Sequence, residues 1–409
     1  MRCEYEKKVF SSIVEFNPQE TLKKGTKAKK IAMDKLQPFC RDITEYEIEE
    51  FKGGSKFRNG DTIMARITPC LENGKTAKVS ILDNNEVGFG STEYIVFRAK
   101  DGVDEDYLYY LVCSNVVREP AIKSMVGSSG RQRVQLDVLK ELEVQLPPYD
   151  IQCRIGNILR CIDDKIELNR KINKNLEAQI KTLCIAWLSD YVPFDGVCPS
   201  DWIETPLSNI AEFISGYSYK GNELIKSQIA MATIKNFDRK GGFKLDGYKE
   251  IVPSAKLKET QYVELFDTLV AHTDLTQNAE VIGNAELIMS KSDYNDIIFS
   301  MDLVKVLPKN NNISKFLLAV ILQDRKFKTH CFSYINGTTV LHLSKKALPE
   351  YRLFLPKDLS LLNPLNSIVS ILYKQISSNI AENICLERIR NSLLPKLMSG
   401  ELDVSALDI

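Results

Sequence analysis

The sequence has few of the residues that bind metals, and its cysteines are not paired. It contains only three histidines, His272, His330 and His342, and none lies at zinc-ligand spacing from a Cys, Asp or Glu. Ten cysteines are scattered singly, without a CxxC pair, which indicates reduced thiols rather than a disulfide framework. We therefore expect no metal site.

Long hydrophobic runs are also missing. No apolar stretch approaches the roughly 20 residues that a membrane helix needs, and residues 1–8 lack the apolar core of a signal peptide. We therefore expect a cytoplasmic protein. The apolar fraction of 44% and the charged fraction of 26% are typical of globular proteins, and 409 residues fit two or three domains.

Two motifs approach known catalytic signatures without completing them. Leu146-Pro147-Pro148-Tyr149 resembles the Asp/Asn-Pro-Pro-Tyr motif of adenine methyltransferases, but leucine cannot hold the target amino group and no glycine-rich cofactor loop accompanies it. Gly74-Lys75-Thr76 resembles the end of a phosphate-binding loop, but Pro69 stands where that loop requires its first glycine. We therefore expect a binding protein with no catalytic residues and no cofactor of its own.

The net charge is zero, which is unusual for a protein that binds nucleic acid. Phosphates respond to local patches rather than to the total charge, and residues 52–78 form one basic patch. Its basic members outnumber Asp61 and Glu72, and they are Lys52, Lys56, Arg58, Arg66, Lys75 and Lys78. The patch fits either a solvated surface or a phosphate-binding surface.

The chain repeats a set of short patterns in the same order in its two halves, which indicates an internal duplication. The paired patterns are Lys24-Gly25-Thr26 with Lys220-Gly221-Asn222, Ile31-Ala32-Met33 with Ile229-Ala230-Met231, Asp61-Thr62-Ile63 with Asp267-Thr268-Leu269, Gly130/Val134/Leu136 with Gly337/Leu341/Leu343, and Leu146-Pro147 with Leu355-Pro356. The shift between halves grows from 196 residues (Lys24 to Lys220) to 209 (Leu146 to Leu355), as insertions in loops would produce.

Each half ends in a long segment with apolar residues at every seventh position, which predicts two helices that form a coiled coil with each other. The heptad positions are Ile155, Ile162, Asn169, Leu176 and Leu183 in the first helix, and Leu365, Leu372, Asn379, Leu386 and Leu393 in the second. Asn169 and Asn379 occupy the middle position of each series. A buried asparagine fixes coiled-coil register, although a polar interruption that faces water would give the same pattern.

These patterns predict the α/β (α+β) class, with two similar mixed α/β domains separated by two long antiparallel coiled-coil helices in a pseudo-two-fold repeat. Residues 1–148 and 198–357 are the expected globular domains. Residues 149–190 are the first long helix, and 359–400 are the second helix with the C-terminal tail. The boundary between the halves lies near residues 191–201, which are rich in Pro, Asp, Gly and Ser.

Three further strings give the chain a family resemblance. They are Ser91-Thr92-Glu93-Tyr94-Ile95-Val96-Phe97, Ile214-Ser215-Gly216-Tyr217-Ser218-Tyr219-Lys220 after Asp201-Trp202, and Leu393-Leu394-Pro395-Lys396-Leu397-Met398-Ser399-Gly400-Glu401-Leu402. In this order, and along essentially the whole length, the chain resembles the specificity subunit of type I restriction–modification enzymes. The two globular domains would then be target-recognition domains.

The resemblance implies a non-catalytic subunit that binds a bipartite site on double-stranded DNA. It also implies two modification (methyltransferase) subunits and restriction (translocase and nuclease) subunits as partners, with S-adenosylmethionine, ATP and Mg²⁺ bound by those partners. Two other interpretations stay open on the sequence alone. One is a structural or anti-restriction relative that does not read DNA, and the other is a fragment with an unrecognised nuclease site.

We expect DNA contacts from polar loops at equivalent places in the two halves, because arginine reads guanine, amides read adenine and lysine mostly meets phosphate. The candidates in the first half are Lys56, Arg58, Arg66, Ser128, Arg131, Gln132 and Arg133. The candidates in the second half are Tyr217, Tyr219, Lys220, His272, Gln277, Asn278, Thr338 and Thr339.

Overall fold

The computed structural model of the chain describes residues 5–239, 241–274, 276, 278–309 and 311–405. The chain divides into two compact units. Unit 1 comprises residues 1–168 and 385–409, and unit 2 comprises residues 169–384. Each unit combines sheets with helices and contains part of both long helices, so the predicted mixed α/β class is confirmed.

Unit 1 is built from short strands and short helices that precede the first long helix. The strands are β1 (Glu6–Val9), β2 (Val14–Phe16), β3 (Lys27–Ile31), β4 (Glu47–Glu50), β5 (Lys56–Phe57), β6 (Thr62–Ala65), β7 (Thr76–Lys78), β8 (Gly88–Gly90), β9 (Tyr94–Ala99) and β10 (Glu143–Leu146). The helices are α1 (Phe10–Ile13), α2 (Glu105–Cys113), α3 (Asn115–Lys123), α4 (Leu136–Lys140) and the long α5 (Tyr149–Leu188).

The central strand of unit 1 is β9, which is buried on both faces. One sheet has the order β2-β9-β6-β7 and the other β4-β3-β8-β5, with β3 and β8 parallel. Successive side chains of a strand point to opposite faces. Ile95 and Phe97 accordingly pack in the core that contains α2, whereas Tyr94 and Val96 pack in a second core against β3 and β5. This explains the unbroken apolar run of the strand.

Unit 2 begins inside α5 and ends inside the second long helix. Its strands are β11 (Trp202–Pro206), β12 (Ala211–Ser215), β13 (Ile229–Ala232), β14 (Lys249–Glu250), β15 (Tyr262–Val263), β16 (Thr268–Ala271), β17 (Thr273–Asp274), β18 (Ala285–Leu287), β19 (Asp296–Phe299), β20 (Leu303–Pro308), β21 (Ile335–Asn336), β22 (Leu341–Leu343) and β23 (Arg352–Pro356). Its helices are α6 (Leu207–Ile210), α7 (Lys315–Gln323), α8 (Arg325–Phe332), α9 (Ala347–Glu350) and the long α10 (Asn363–Met398).

The topology of unit 2 repeats that of unit 1. Its sheets have the orders β12-β20-β16-β18 and β14-β13-β19-β15, and β13 and β19 are the parallel pair. The helix after the central strand begins in the same way in both units. Asp104 accepts a hydrogen bond from the Tyr107 amide at the start of α2, and Ser314 accepts one from the Leu317 amide at the start of α7. The duplication inferred from the sequence is therefore present in the fold.

Within unit 2, buried amides join the two long helices. The Asn169 amide donates to the Asn383 side-chain oxygen at 2.9 Å, and the Asn379 amide donates to that of Asn173 at 2.7 Å. All four residues are buried. Because the partner's number falls from 383 to 379 as the α5 number rises from 169 to 173, the helices run antiparallel here.

The matching heptad positions predict that Asn169 and Asn379 share hydrogen bonds, directly or through one water, whereas the structure pairs each of them with an asparagine one helical turn away. Asn173 and Asn383 match each other at the same shift of 210 residues as Asn169 and Asn379. Two adjacent polar layers therefore contain four asparagines in all. The heptad series that predicted the long helices contains only one position of the repeat, whereas a coiled-coil seam uses two, so the second pair was not predicted.

In unit 1 the same two helices meet around a buried carboxylate. Asp163 of α5 is 4% exposed, and it accepts hydrogen bonds from the Tyr110 hydroxyl and from Arg390 of α10, both at 2.6 Å. A buried charge is costly unless it is paired, and here both a cation and a hydroxyl compensate for its lost hydration.

Asn169→Leu should lower the free energy of unfolding by about 1–3 kcal/mol, because the Asn383 oxygen loses a buried donor. The double variant Asn169→Leu/Asn383→Leu should recover part of that loss, since an apolar pair replaces both partners. Urea unfolding followed by circular dichroism measures both. Asn175→Leu on the exposed face of α5 is the matched control. Losses that simply add in the double variant would contradict the pairing.

Candidate nucleic-acid interface

A carboxylate at the start of the central strand organises the predicted DNA-binding residues of unit 1. The Arg66 Nε lies 3.1 Å from one Glu93 oxygen, and the Arg133 Nη2 lies 2.7 Å from the other. The Glu93 side chain is 21% exposed. We call these three residues the Glu93 clamp.

Backbone hydrogen bonds hold the two arginine-bearing segments together. The Arg66 amide donates to the Glu93 carbonyl and the Val134 amide donates to the Arg66 carbonyl, both at 2.9 Å. The Thr68 amide donates to the Gln132 carbonyl at 3.0 Å. The clamp therefore fixes the base of an exposed loop, residues 127–132, which we call tip loop 1.

Tip loop 1 presents polar side chains to solvent. Ser128 and Arg131 are exposed, whereas Gln132 is half-buried. Gly127 and Gly130 adopt positive φ angles of 137° and 76°, which other residues rarely adopt, so the glycines allow the loop to turn. Five of the seven predicted first-half residues thus belong to the clamp or to the loop that it supports: the two clamp arginines and these three.

The electrostatics of the clamp keep Glu93 ionised. The hydrogen bond from Arg133 is the main cause that lowers the pKa of Glu93, burial opposes it, and Arg66 lowers it further. Because both guanidinium groups are hydrogen-bonded to Glu93, their main role is to stabilise the base of tip loop 1. Arg131 is the exposed arginine that the loop offers to a ligand.

Lys56 and Arg58 lie apart from the clamp, since Arg58 precedes β6 and Arg66 follows it. Lys56 donates to the Glu20 carbonyl, and the Arg58 Nε is 2.7 Å from the Glu20 carboxylate. Burial alone would raise the pKa of Glu20, but the hydrogen bonds from Arg58 and Arg98 outweigh it and lower that pKa. The structure therefore splits the first-half candidates into two groups.

Unit 2 places Asp302 at the start of its central strand, β20. The His272 amide donates to the Asp302 carbonyl at 2.8 Å, and the Leu343 amide donates to the His272 carbonyl at 2.8 Å. His342 lies in β22, opposite Thr273 of β17. We call Asp302, His272 and His342 the Asp302 cluster.

Next to this cluster, β21 and β22 form a hairpin, residues 335–343, which we call tip hairpin 2. Thr338 and Thr339 are exposed at its turn, as predicted binding residues should be. Asn278, which follows His272 by six residues in the sequence, is also exposed. Gln277 lies outside the described residues. Whether these residues contact DNA stays a prediction.

The second-half candidates near residue 220 differ in exposure. Lys220 is exposed and Tyr219 is half-buried. Tyr217 is only 6% exposed, and its hydroxyl donates to Glu223 at 3.1 Å. Tyr217 is therefore a core residue rather than the surface contact that we predicted. The local sequence does not distinguish an exposed tyrosine from a buried one. Tyr217 can be buried because Glu223 accepts the hydrogen bond of its hydroxyl group.

Sequence reasoning missed the two carboxylates around which the candidates gather. Both had a signal, because each follows a serine by two residues. The Glu93 amide donates to Ser91 Oγ at 3.1 Å, and the Asp302 amide donates to Ser300 Oγ at 3.3 Å. The shared Ser-x-acid pattern marks the same turn in both units.

Among the described residues, no group of three His, Cys, Asp or Glu side chains is placed to hold a metal ion. Within the same part of the chain, none of the helices combines the length and the apolar character that crossing a membrane requires.

Comparison with known proteins gives consistent relatives. Residues 4–178 match the family described as the type I restriction modification DNA specificity domain. The HindI specificity subunit of Haemophilus influenzae is 24% identical, covering 87% of this chain and 90% of that protein. The MjaIX specificity subunit of Methanocaldococcus jannaschii is also 24% identical, covering 75% and 71%.

A solved structure shares the fold. The type I restriction–modification S subunit from M. genitalium superposes with a TM-score of 0.55 at 19% identity, covering 98% of this chain and 97% of that one. Together with the family match, this confirms the resemblance that the sequence motifs indicated.

Tyr217→Phe should lower the free energy of unfolding by about 0.5–1.5 kcal/mol, because the buried Glu223 carboxylate loses one hydrogen bond. It should leave DNA affinity unchanged. Thermal unfolding and fluorescence anisotropy with a duplex measure the two quantities. Tyr334→Phe, which removes an exposed hydroxyl bound to Glu350, is the matched control and should change neither. A loss of affinity without a loss of stability in Tyr217→Phe would restore the surface role.

Proposed function

We propose that this chain, whose residues 4–178 match the type I restriction modification DNA specificity domain family, is the subunit that selects the DNA sequence on which a type I restriction–modification enzyme acts. Two units of the same topology each present an exposed tip beside a carboxylate at the start of the central strand. This duplicated recognition unit is the observation that carries the proposal.

Two similar units fit a target with two parts. A protein with two equivalent reading domains contacts two half-sites, as dimeric DNA readers do. The side chains around the two carboxylates differ, with arginines in unit 1 and histidines in unit 2. The two half-sites are therefore expected to differ in sequence. Tip loop 1 and tip hairpin 2 supply the base and phosphate contacts.

The proposal assigns the chemistry to partners. Two modification (methyltransferase) subunits and the restriction subunits bind this chain, and they carry S-adenosylmethionine, ATP and Mg²⁺. The chain itself positions them on double-stranded DNA in the cytoplasm and has no catalytic activity. The incomplete Leu146-Pro147-Pro148-Tyr149 motif supports this division, since leucine replaces the residue that would hold the target base.

Expressing the chain with its modification subunit in a host that lacks both should create methylation at one bipartite sequence. Methylome sequencing identifies that sequence, and a gel shift compares it with a scrambled duplex. The chain alone should transfer no labelled methyl group and cleave no DNA with Mg²⁺. Equal binding of cognate and scrambled duplexes would contradict the proposal, as would methyl transfer by the pure chain.

Arg131→Ala should weaken binding to the half-site of unit 1 by about five- to 150-fold, because a bidentate arginine–guanine contact contributes about 1–3 kcal/mol. Binding to a duplex in which that half-site is scrambled should change little. Lys123→Ala, which removes an exposed cation paired with Glu119, is the control and should leave affinity unchanged. Equal effects of both variants on every duplex would show that Arg131 contributes only general charge.

A further inference from the structure

The Glu93 clamp and the Asp302 cluster occupy the same place in the duplicated fold. The His272 amide donates to the Asp302 carbonyl as the Arg66 amide donates to the Glu93 carbonyl. Leu343 donates to the His272 carbonyl as Val134 donates to the Arg66 carbonyl. These backbone hydrogen bonds make His272 the equivalent of Arg66.

The third position of each group corresponds as well. Arg133 lies opposite Ile67 in an antiparallel bridge, and His342 lies opposite Thr273 in the β17–β22 pair. Both carboxylates follow the Ser-x-acid turn. His342 is therefore the equivalent of Arg133, and Val134 corresponds to Leu343 rather than to Leu341 as the sequence repeat suggested.

We propose that Glu93 and Asp302 are equivalent positioning residues for the two DNA-reading tips, and that the histidines beside Asp302 make the affinity of unit 2 for its half-site depend on pH. The affinity of unit 1 for its half-site does not share this dependence, because arginines take the place of the histidines. The inference rests on the proposed function, since it concerns how the two units hold DNA.

The physical basis is the difference between the two basic side chains. Arginine stays charged at every pH at which proteins are folded, whereas histidine ordinarily titrates near about 6.5. A histidine that gains a proton is attracted to Asp302 and adds positive charge beside the phosphates, and a histidine that loses its proton gives up both effects. Arg66 and Arg133 keep both effects in unit 1, because arginine stays charged.

The surroundings of His272 set the direction. Burial is the main cause that lowers the pKa of His272, and the positive charges of His342 and Lys345 lower it further, whereas Asp302 opposes them. Tyr219 faces the same carboxylate. His272 therefore gains its proton at a lower pH than an ordinary histidine does. A DNA phosphate near the cluster favours the charged form, so that binding and protonation support each other.

The chain offers a clean background for the measurement. Its third histidine, His330, lies in α8, where its Nε2 is hydrogen-bonded to the Ala347 carbonyl. His330→Gln therefore tests for effects of histidine titration outside the cluster. No other histidine exists in the sequence.

The experiment uses the full chain with its modification subunits and three duplexes: the cognate site, and the site with either half scrambled. Glu93→Gln should weaken the preference for one cognate half-site over its scrambled form, and Asp302→Asn should weaken the preference for the other. The two variants therefore show which half-site each unit binds. Glu93→Asp should partly restore what Glu93→Gln loses. Affinity is then measured at about pH 5.5 and about pH 8 at constant ionic strength, since salt alone changes DNA affinity.

Two changes in affinity between about pH 8 and about pH 5.5 are compared. The affinity for the duplex that keeps only the unit 2 half-site should rise about fivefold more than the affinity for the duplex that keeps only the unit 1 half-site. His272→Gln/His342→Gln should remove this difference, and His330→Gln should preserve it. Circular dichroism of each variant confirms folding.

Two results would overturn the inference while the proposed function stands: the same pH dependence for both half-sites, or a difference that persists in the double histidine variant. An enzyme that fails to distinguish cognate from scrambled duplexes at either pH would overturn both.

Discussion

Each unit depends on one strand that is buried on both faces. Because successive residues of β9 point into two different cores, the strand cannot shift by one residue without exchanging all of its contacts. Its position in the unit is therefore strongly specified. The residue that immediately precedes it, Glu93, is fixed with the same precision, although Glu93 itself lies at the surface of the unit. The core thus determines where the carboxylate of the clamp is placed.

The long helices follow a related principle with polar groups. A purely apolar seam tolerates several alignments of two helices, whereas a buried amide is satisfied in only one. In unit 2 two asparagine pairs occupy adjacent layers, and in unit 1 Asp163 meets Arg390 and Tyr110. Each polar layer reduces the stability that apolar residues would give and excludes the alignments that would leave its groups unpaired.

The sequence was sufficient for the features that depend on local periodicity. The heptad series predicted both long helices. The repeated patterns predicted the duplication that the two topologies show. These features could be predicted because their signals recur along a continuous stretch of chain.

Features that depend on which distant residues meet could not be predicted in the same way. Arg66 and Arg133 were selected as binding residues, but nothing local shows that both contact Glu93. Tyr217 was placed at the surface because Glu223 was not recognised as its buried partner. The pairing of Asn169 with Asn383 required a second heptad position. In each case the residue type could be interpreted from the sequence, but the distant residue that it contacts could not be identified.

The backbone hydrogen bonds around the two carboxylates have consequences for how such a protein changes over generations. They connect the same main-chain atoms in both units, although the side chains beside them are arginines in one and histidines in the other. Main-chain bonding of this kind does not depend on side-chain identity. Substitutions at these positions can therefore change the surface that each unit presents while the backbone that carries this surface is inherited unchanged.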